Sequence, residues 1–239
     1  MNRFLIILLA FYIVPYKSNG QNKLATINTM KTAQMLERKG DIEGAISIYE
    51  DILIKNPKHR QSIKNLKSIY LKNLMYDRGI QFIRGLMVID PNDVRTYCEL
   101  GELYFLNKQK KEANQIWYAG LNKFKYNRSF YRIMFSTLAK YNLGEDLSNI
   151  IKKGRENFGQ SFLSYEVGTY SQSIGDYDTA MDEFITHLIN EKSYQSIIER
   201  KILLMSDEEE ATPIIEKKLL KASEQYSSTV LNMLSEFYF

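Results

Sequence analysis

Residues 97–117, YCELGELYFLNKQKKEANQIW, decide the fold of this chain. Tyr97, Leu100, Gly101 and Tyr104 follow one another at helical spacing, and Ala113 and Trp117 stand one helical turn apart beyond them. The same residue types return at a fixed interval on either side. Ala45, Gly79 and Ala113 fall 34 apart, Leu147 continues the series and Ala180 follows after 33. Ala33, Lys67, Gly101, Phe135 and Gly168 form a second column, and Tyr49, Ile83, Trp117, Ile151 and Phe184 a third. Asn56-Pro57 and Asp90-Pro91 keep the same 34-residue step, and a sustained period of this length is the mark of a repeat architecture.

Each repeat reads as two helices. Ile42, Ala45, Ile46, Tyr49, Ile52 and Leu53 describe one apolar helical face. Gly40-Asp41 and Gly175-Asp176 break the chain between two such faces, since Gly tolerates a left-handed helix end and Asp caps the next helix. Small residues at Ala45, Ala113 and Ala180 let the paired helices approach, and the aromatic four residues on fills the groove. Pro57 and Pro91 are expected to end each connection and pre-set the first turn of the next pair. One pair cannot bury both of its faces, so the pairs must stack.

The unit built from Tyr97, Leu100, Gly101, Tyr104, Ala113 and Trp117 resembles the tetratricopeptide repeat, a bulky residue, Leu-Gly, Tyr, a small Ala, an aromatic and a closing Pro. Leu36, Gly40, Ala45, Tyr49 and Pro57 supply the first unit, and Gly168, Gly175, Tyr177, Ala180 and Phe184 the fifth. The closing Pro is Lys125, Gly159 and Lys192 in later units, and Leu147 replaces a small residue in the fourth. The resemblance implies an all-α, right-handed superhelical solenoid of about six antiparallel helix pairs. The expected units are 26–59, 60–93, 94–127, 128–160 and 161–193, with a degenerate sixth at 194–225 and a partial seventh at 226–239. In the sixth, Tyr194 to Met205 and Pro213 to Ala222 are the expected helices, with Thr212-Pro213 as cap and first-turn proline.

Residues 1–20 lie outside the repeats. Arg3 precedes an apolar run over residues 4–14, followed by Pro15 and Ser18-Asn19-Gly20. A run of that length is too short to span a bilayer, which takes about 20 residues. It reads as a secretory signal peptide cut before Gln21, which places the chain in the periplasm or cell envelope of a bacterium. Loss of Arg3 and Lys17 with this segment lowers the formal charge from +4 to +2. Lys and Arg are interleaved with Asp and Glu, and this balance, with export, disfavours nucleic acid as a partner. The terminal Phe237-Tyr238-Phe239 carries no polar outer face, so the reading expects the natural protein to continue, or this last helix to self-associate or fray.

No catalytic constellation is apparent. His59 and His187 are the only histidines, and neither has a His or Cys at ligand spacing, so no catalytic residue, metal or cofactor is assigned. The lone Cys98 reads as a small apolar filler, with an intermolecular crosslink as the other reading. The expected function is a non-enzymatic scaffold. The resemblance implies that a protein or peptide partner lies on the concave side lined by the first helix of each pair. Residues expected to face outward there include Met30, Gln34, Lys64, Lys72, Arg95, Cys98, Arg132, Lys140 and Tyr165. Lys64, Lys72, Arg95, Arg132, Lys140 and Tyr165 are the candidate partner-binding residues. The excess of cations among these positions points to an acidic segment. Family members that clamp a terminal carboxylate carry Lys and Asn where Met30 and Gln34 stand and Arg where Glu99 stands, so that activity is not expected although Asn65 and Arg95 match. The alternative is an N-terminal structural segment of a larger envelope protein or assembly factor with no ligand of its own.

Overall fold

The computed structural model describes residues 20–191 and 194–224, together with 230, 233, 235 and 237. Among them are twelve α-helices and no strand: α1 (Gly20–Lys39), α2 (Ile42–Lys55), α3 (Arg60–Lys72), α4 (Tyr76–Ile89), α5 (Val94–Leu106), α6 (Lys110–Lys123), α7 (Arg128–Lys140), α8 (Gly144–Phe158), α9 (Ser164–Ser173), α10 (Tyr177–Asn190), α11 (Gln195–Met205) and α12 (Thr212–Ser223). Odd-numbered helices are the first members of successive pairs. The expected leader lies outside the described residues but for Gly20, which opens α1. The chain divides into two compact units, Met1–Gly120 and Leu121–Phe239.

In the first unit the small-and-aromatic columns are the packing. Ala33 and Tyr49 are fully buried, as are Ala45 and Ala113. The Trp117 indole lies so close to Gly101 that a Cβ there would sit 2.0 Å from Nε1, and that nitrogen donates to the Cys98 carbonyl at 3.3 Å. Gly79 packs less tightly on Leu103 and Tyr70, where a Cβ would stand 3.2–3.3 Å from their side chains. In the second unit Gly168 meets Phe184 in the way Gly101 meets Trp117. The fourth pair reaches the same end with sizes exchanged: Phe135 and Leu147 are both buried, and Ile151 is half-buried where the first, third and fifth pairs carry an aromatic. The helix pairs, their interval of about 34 residues and this small-on-large contact make an all-α fold of the tetratricopeptide type.

The turn inside each of the first five pairs has one geometry. Gly40, Leu74, Lys108, Asn142 and Gly175 all have positive φ, from +52° to +82°. The following residue donates its N–H back five positions, as in Met75 to Tyr70 and Gln109 to Tyr104, both at 2.8 Å. This is the glycine-type helix stop, and only the first and fifth units use glycine for it. Leu74, 69% exposed, gains no packing to offset its left-handed backbone. Leu74→Gly is therefore expected to stabilise the protein by about 1 kcal/mol, whereas Lys72→Gly, on the last turn of α3, should lose about 1 kcal/mol. Urea midpoints of the two variants test this, and a Leu74→Gly midpoint at or below that of the unaltered chain contradicts it.

Two expectations are corrected at helix starts. Pro57 and Pro91 lie in the connecting turns, before the first helical residue, and the caps are His59 and Asp93. The N-cap of α12 is Ala211, not Thr212. The Thr212 hydroxyl donates backward to the Ser206 and Glu208 carbonyls, while Pro213 does occupy the first turn. Of residues 226–239, Val230 and Met233 are buried in the core formed by α10, α11 and α12, and Phe237 packs against it.

Candidate functional site

In the first unit, Lys67 Nζ meets Glu99 Oε2 at 2.5 Å, which fixes α3 beside α5 with an offset of 32 residues. Lys64, Lys72 and Arg95 are all exposed. Burial raises the affinity of Glu99 for its proton above the usual carboxylate range, and the Lys67 ammonium works against that rise. Behind this face a polar chain runs across three helices. The buried Tyr49 phenol donates to the Glu37 carboxylate and accepts from Asn65 Nδ2 at 2.8 Å, and Asn65 Oδ1 accepts from Gln61 Nε2 at 2.8 Å. Burial foremost, then the Glu37 carboxylate, holds the Tyr49 proton far more tightly than usual. Asn65, which matched the carboxylate-clamping pattern, is thus engaged by protein groups.

Two residues expected to face outward are instead in the core. Met30 is buried and its sulfur accepts the Ser62 hydroxyl at 3.4 Å. Cys98 is 1% exposed, and its backbone carbonyl accepts from the Trp117 indole. Its burial, then the nearby Glu99 and Glu102, push the thiol well above its usual range. This is the filler role, and it leaves no route to a crosslink.

In the second unit, Arg132 and Lys140 are exposed on α7. Arg132 is not a bare cation, because its Nε donates to Glu166 Oε1 at 2.7 Å and its guanidinium lies 5.7 Å from the Phe162 ring centre. Tyr165 is half-buried and stacks on Tyr194 at 4.8 Å between centroids, with His187 6.1 Å away. Only part of its ring is left for a partner. The sequence reading missed Glu99 and Glu166 as members of these faces, although the period itself carried the signal: Arg132 and Glu166 stand 34 apart.

The two histidines serve the fold. His59 Nδ1 accepts from the Ser62 N–H at 3.3 Å and caps α3. His187, buried, lies 2.9 Å by Nδ1 from the Ser164 hydroxyl. Among the described residues no three His, Cys, Asp or Glu side chains converge to hold a metal ion, and no helix is long and apolar enough to cross a membrane.

No protein-family model and no curated protein sequence matches the chain. It is similar to the crystal structure of PilW, a type IV pilus biogenesis factor, at TM-score 0.43 and 14% identity over 91% of this chain and 100% of that one. A tetratricopeptide repeat protein from Parabacteroides merdae gives TM-score 0.42 and 11% identity over 90% and 100%. YrrB, a tetratricopeptide protein with an unusual peptide-binding site, gives 0.36 and 14% over 79% and 97%.

Proposed function

We propose that the chain is a non-catalytic scaffold of the cell envelope that binds an acidic protein segment. Lys64, Lys72 and Arg95 form the contact face of the first unit, and Lys140, Arg132 and the free part of Tyr165 that of the second. The observation that carries this reading is that Lys64, Lys72 and Arg95 in the first unit, and Arg132 and Lys140 in the second, are exposed on the first helices of their pairs. Complementary charge would draw an acidic segment to each face. Export rests on the charged start and short apolar run of residues 3–14.

Titration of a fluorescent hexaglutamate peptide by anisotropy tests the face. Lys64→Glu, Lys72→Glu and Arg95→Glu together should weaken binding at least tenfold at low salt with unchanged circular dichroism. Equal affinity for the variant and the unaltered chain would remove this face as the site and favour the ligand-free structural role. The intact mass of the protein recovered from the native envelope should start at Gln21; retention of Met1 on a cytoplasmic protein would overturn the localisation.

A further inference from the structure

The interleaving of charges fails in the first unit over residues 52–76, with six Lys or Arg and no Asp or Glu, a stretch that includes the Lys64 and Lys72 face, and in two places in the second unit. Residues 121–144 hold five Lys or Arg and no Asp or Glu, whereas residues 202–216 hold five Asp or Glu and no Lys or Arg. The basic stretch has a built centre. Arg128 opens α7 with its guanidinium 4.8 Å from the Phe162 ring centre and 5.4 Å from that of Phe158. Stacking occupies the flat face of the guanidinium and restrains it, while its N–H edge remains available to a carboxylate. Lys125 and Tyr126, the latter 72% exposed, flank it in the preceding turn. The acidic stretch is also shaped. Residues 207–210 are all exposed, in a turn tied by the Thr212 hydroxyl to the Ser206 and Glu208 carbonyls.

Topology keeps these two surfaces apart within one molecule. Arg128 over Phe162 and Arg132 bound to Glu166 set the start of α7 beside the start of α9. Tyr165 stacked on Tyr194 sets the start of α9 beside the start of α11. The basic patch therefore lies at the end where the first helices begin, and the acidic turn follows the far end of α11, which at 1.5 Å per residue is about 16 Å away. A molecule cannot satisfy its own patch, but a second copy can.

We infer that the Lys125 and Arg128 patch receives the acidic turn, residues 207–210, of a second copy of this chain. Each copy carries one donor and one acceptor surface, so the contact can be made reciprocally in a two-fold dimer or head to tail in rings and open chains. Arg128 supplies the charge-assisted, orientation-selective bond, and Lys125 adds steering.

Sedimentation velocity of the full chain tests this. The weight-average sedimentation coefficient should rise with concentration at low salt and return to the monomer value at high salt. Lys125→Glu with Arg128→Glu should abolish the rise, and so should Glu208→Lys, Glu209→Lys and Glu210→Lys together. An equimolar mixture of those two variants should associate again, since each then meets an opposite charge. The Lys64, Lys72 and Arg95 reversals should leave association unchanged, which separates this contact from the peptide face. A chain that stays monomeric at low salt, or association that both sets of reversals leave intact, overturns the inference. Binding to phosphatidylglycerol vesicles that is lost in the Lys125 and Arg128 variant, by a protein that stays monomeric, overturns it in favour of a membrane surface.

Discussion

Gly101→Ala is expected to destabilise the protein by about 3 kcal/mol, at the upper end of overpacking costs, and the same substitution made after Trp117→Ala is expected to cost nothing. A Cβ at position 101 would lie 2.0 Å from the indole Nε1 and 2.4 Å from its Cδ1. No rotamer adjustment of the order of tenths of an ångström relieves such a contact. The indole is also fixed from the other side by its donation to the Cys98 carbonyl. Trp117→Ala alone removes a large buried side chain and should cost about 3–5 kcal/mol. In that background the clash is gone, and Ala in the middle of α5 recovers about 1 kcal/mol of helix propensity over Gly. The double-mutant cycle in urea should therefore show coupling larger than either uncertainty. Equal costs of Gly101→Ala in the two backgrounds would mean that the glycine is needed for some other reason and that the small-on-large column is not the packing contact.

That column was legible in the sequence because it is steric. A period of 34 and a glycine facing an aromatic on the next helix leave few arrangements, and Gly101 with Trp117 and Gly168 with Phe184 realise them. The left-handed turns at Leu74, Lys108 and Asn142 were legible only through the period. Nothing in those side chains demands positive φ; they accept it because the two flanking helices are held by their own cores. Face assignments were harder. Cys98 lies on α5, which is buried across a wide arc, whereas Met30 and Ala33 are the buried residues of an otherwise exposed or half-buried stretch 26–39 of α1, so a rotation of a fraction of a turn separates groove from core. Glu99 and Glu166 were missed because a charge's partner sits on another helix, and side-chain chemistry alone does not say which cation is nearest.

Phe162→Ala is expected to cost about 3–5 kcal/mol and to loosen the start of α7, whereas Phe162→Leu should cost less than about 1.5 kcal/mol. Phe162 is buried at the junction of α8 and α9, with Phe158 at 4.7 Å and Tyr131 at 6.1 Å between centroids. Gly154 approaches it so closely that a Cβ there would stand 2.9 Å from the ring. The backbone on that side is thus already at contact and cannot move closer to fill a void, which places the cost in the upper part of the range. Leucine keeps most of the volume and so the core, but it lacks the π face that carries Arg128 and Arg132. Phe162→Leu should accordingly leave the urea midpoint near that of the unaltered chain while raising amide exchange at residues 128–132. The two variants separate two roles of one ring, support of the core and support of the guanidinium groups. Equal stability losses for Leu and Ala would show that shape rather than volume governs the site, and unchanged exchange in the Leu variant would show that the stacked arginines are held by other contacts.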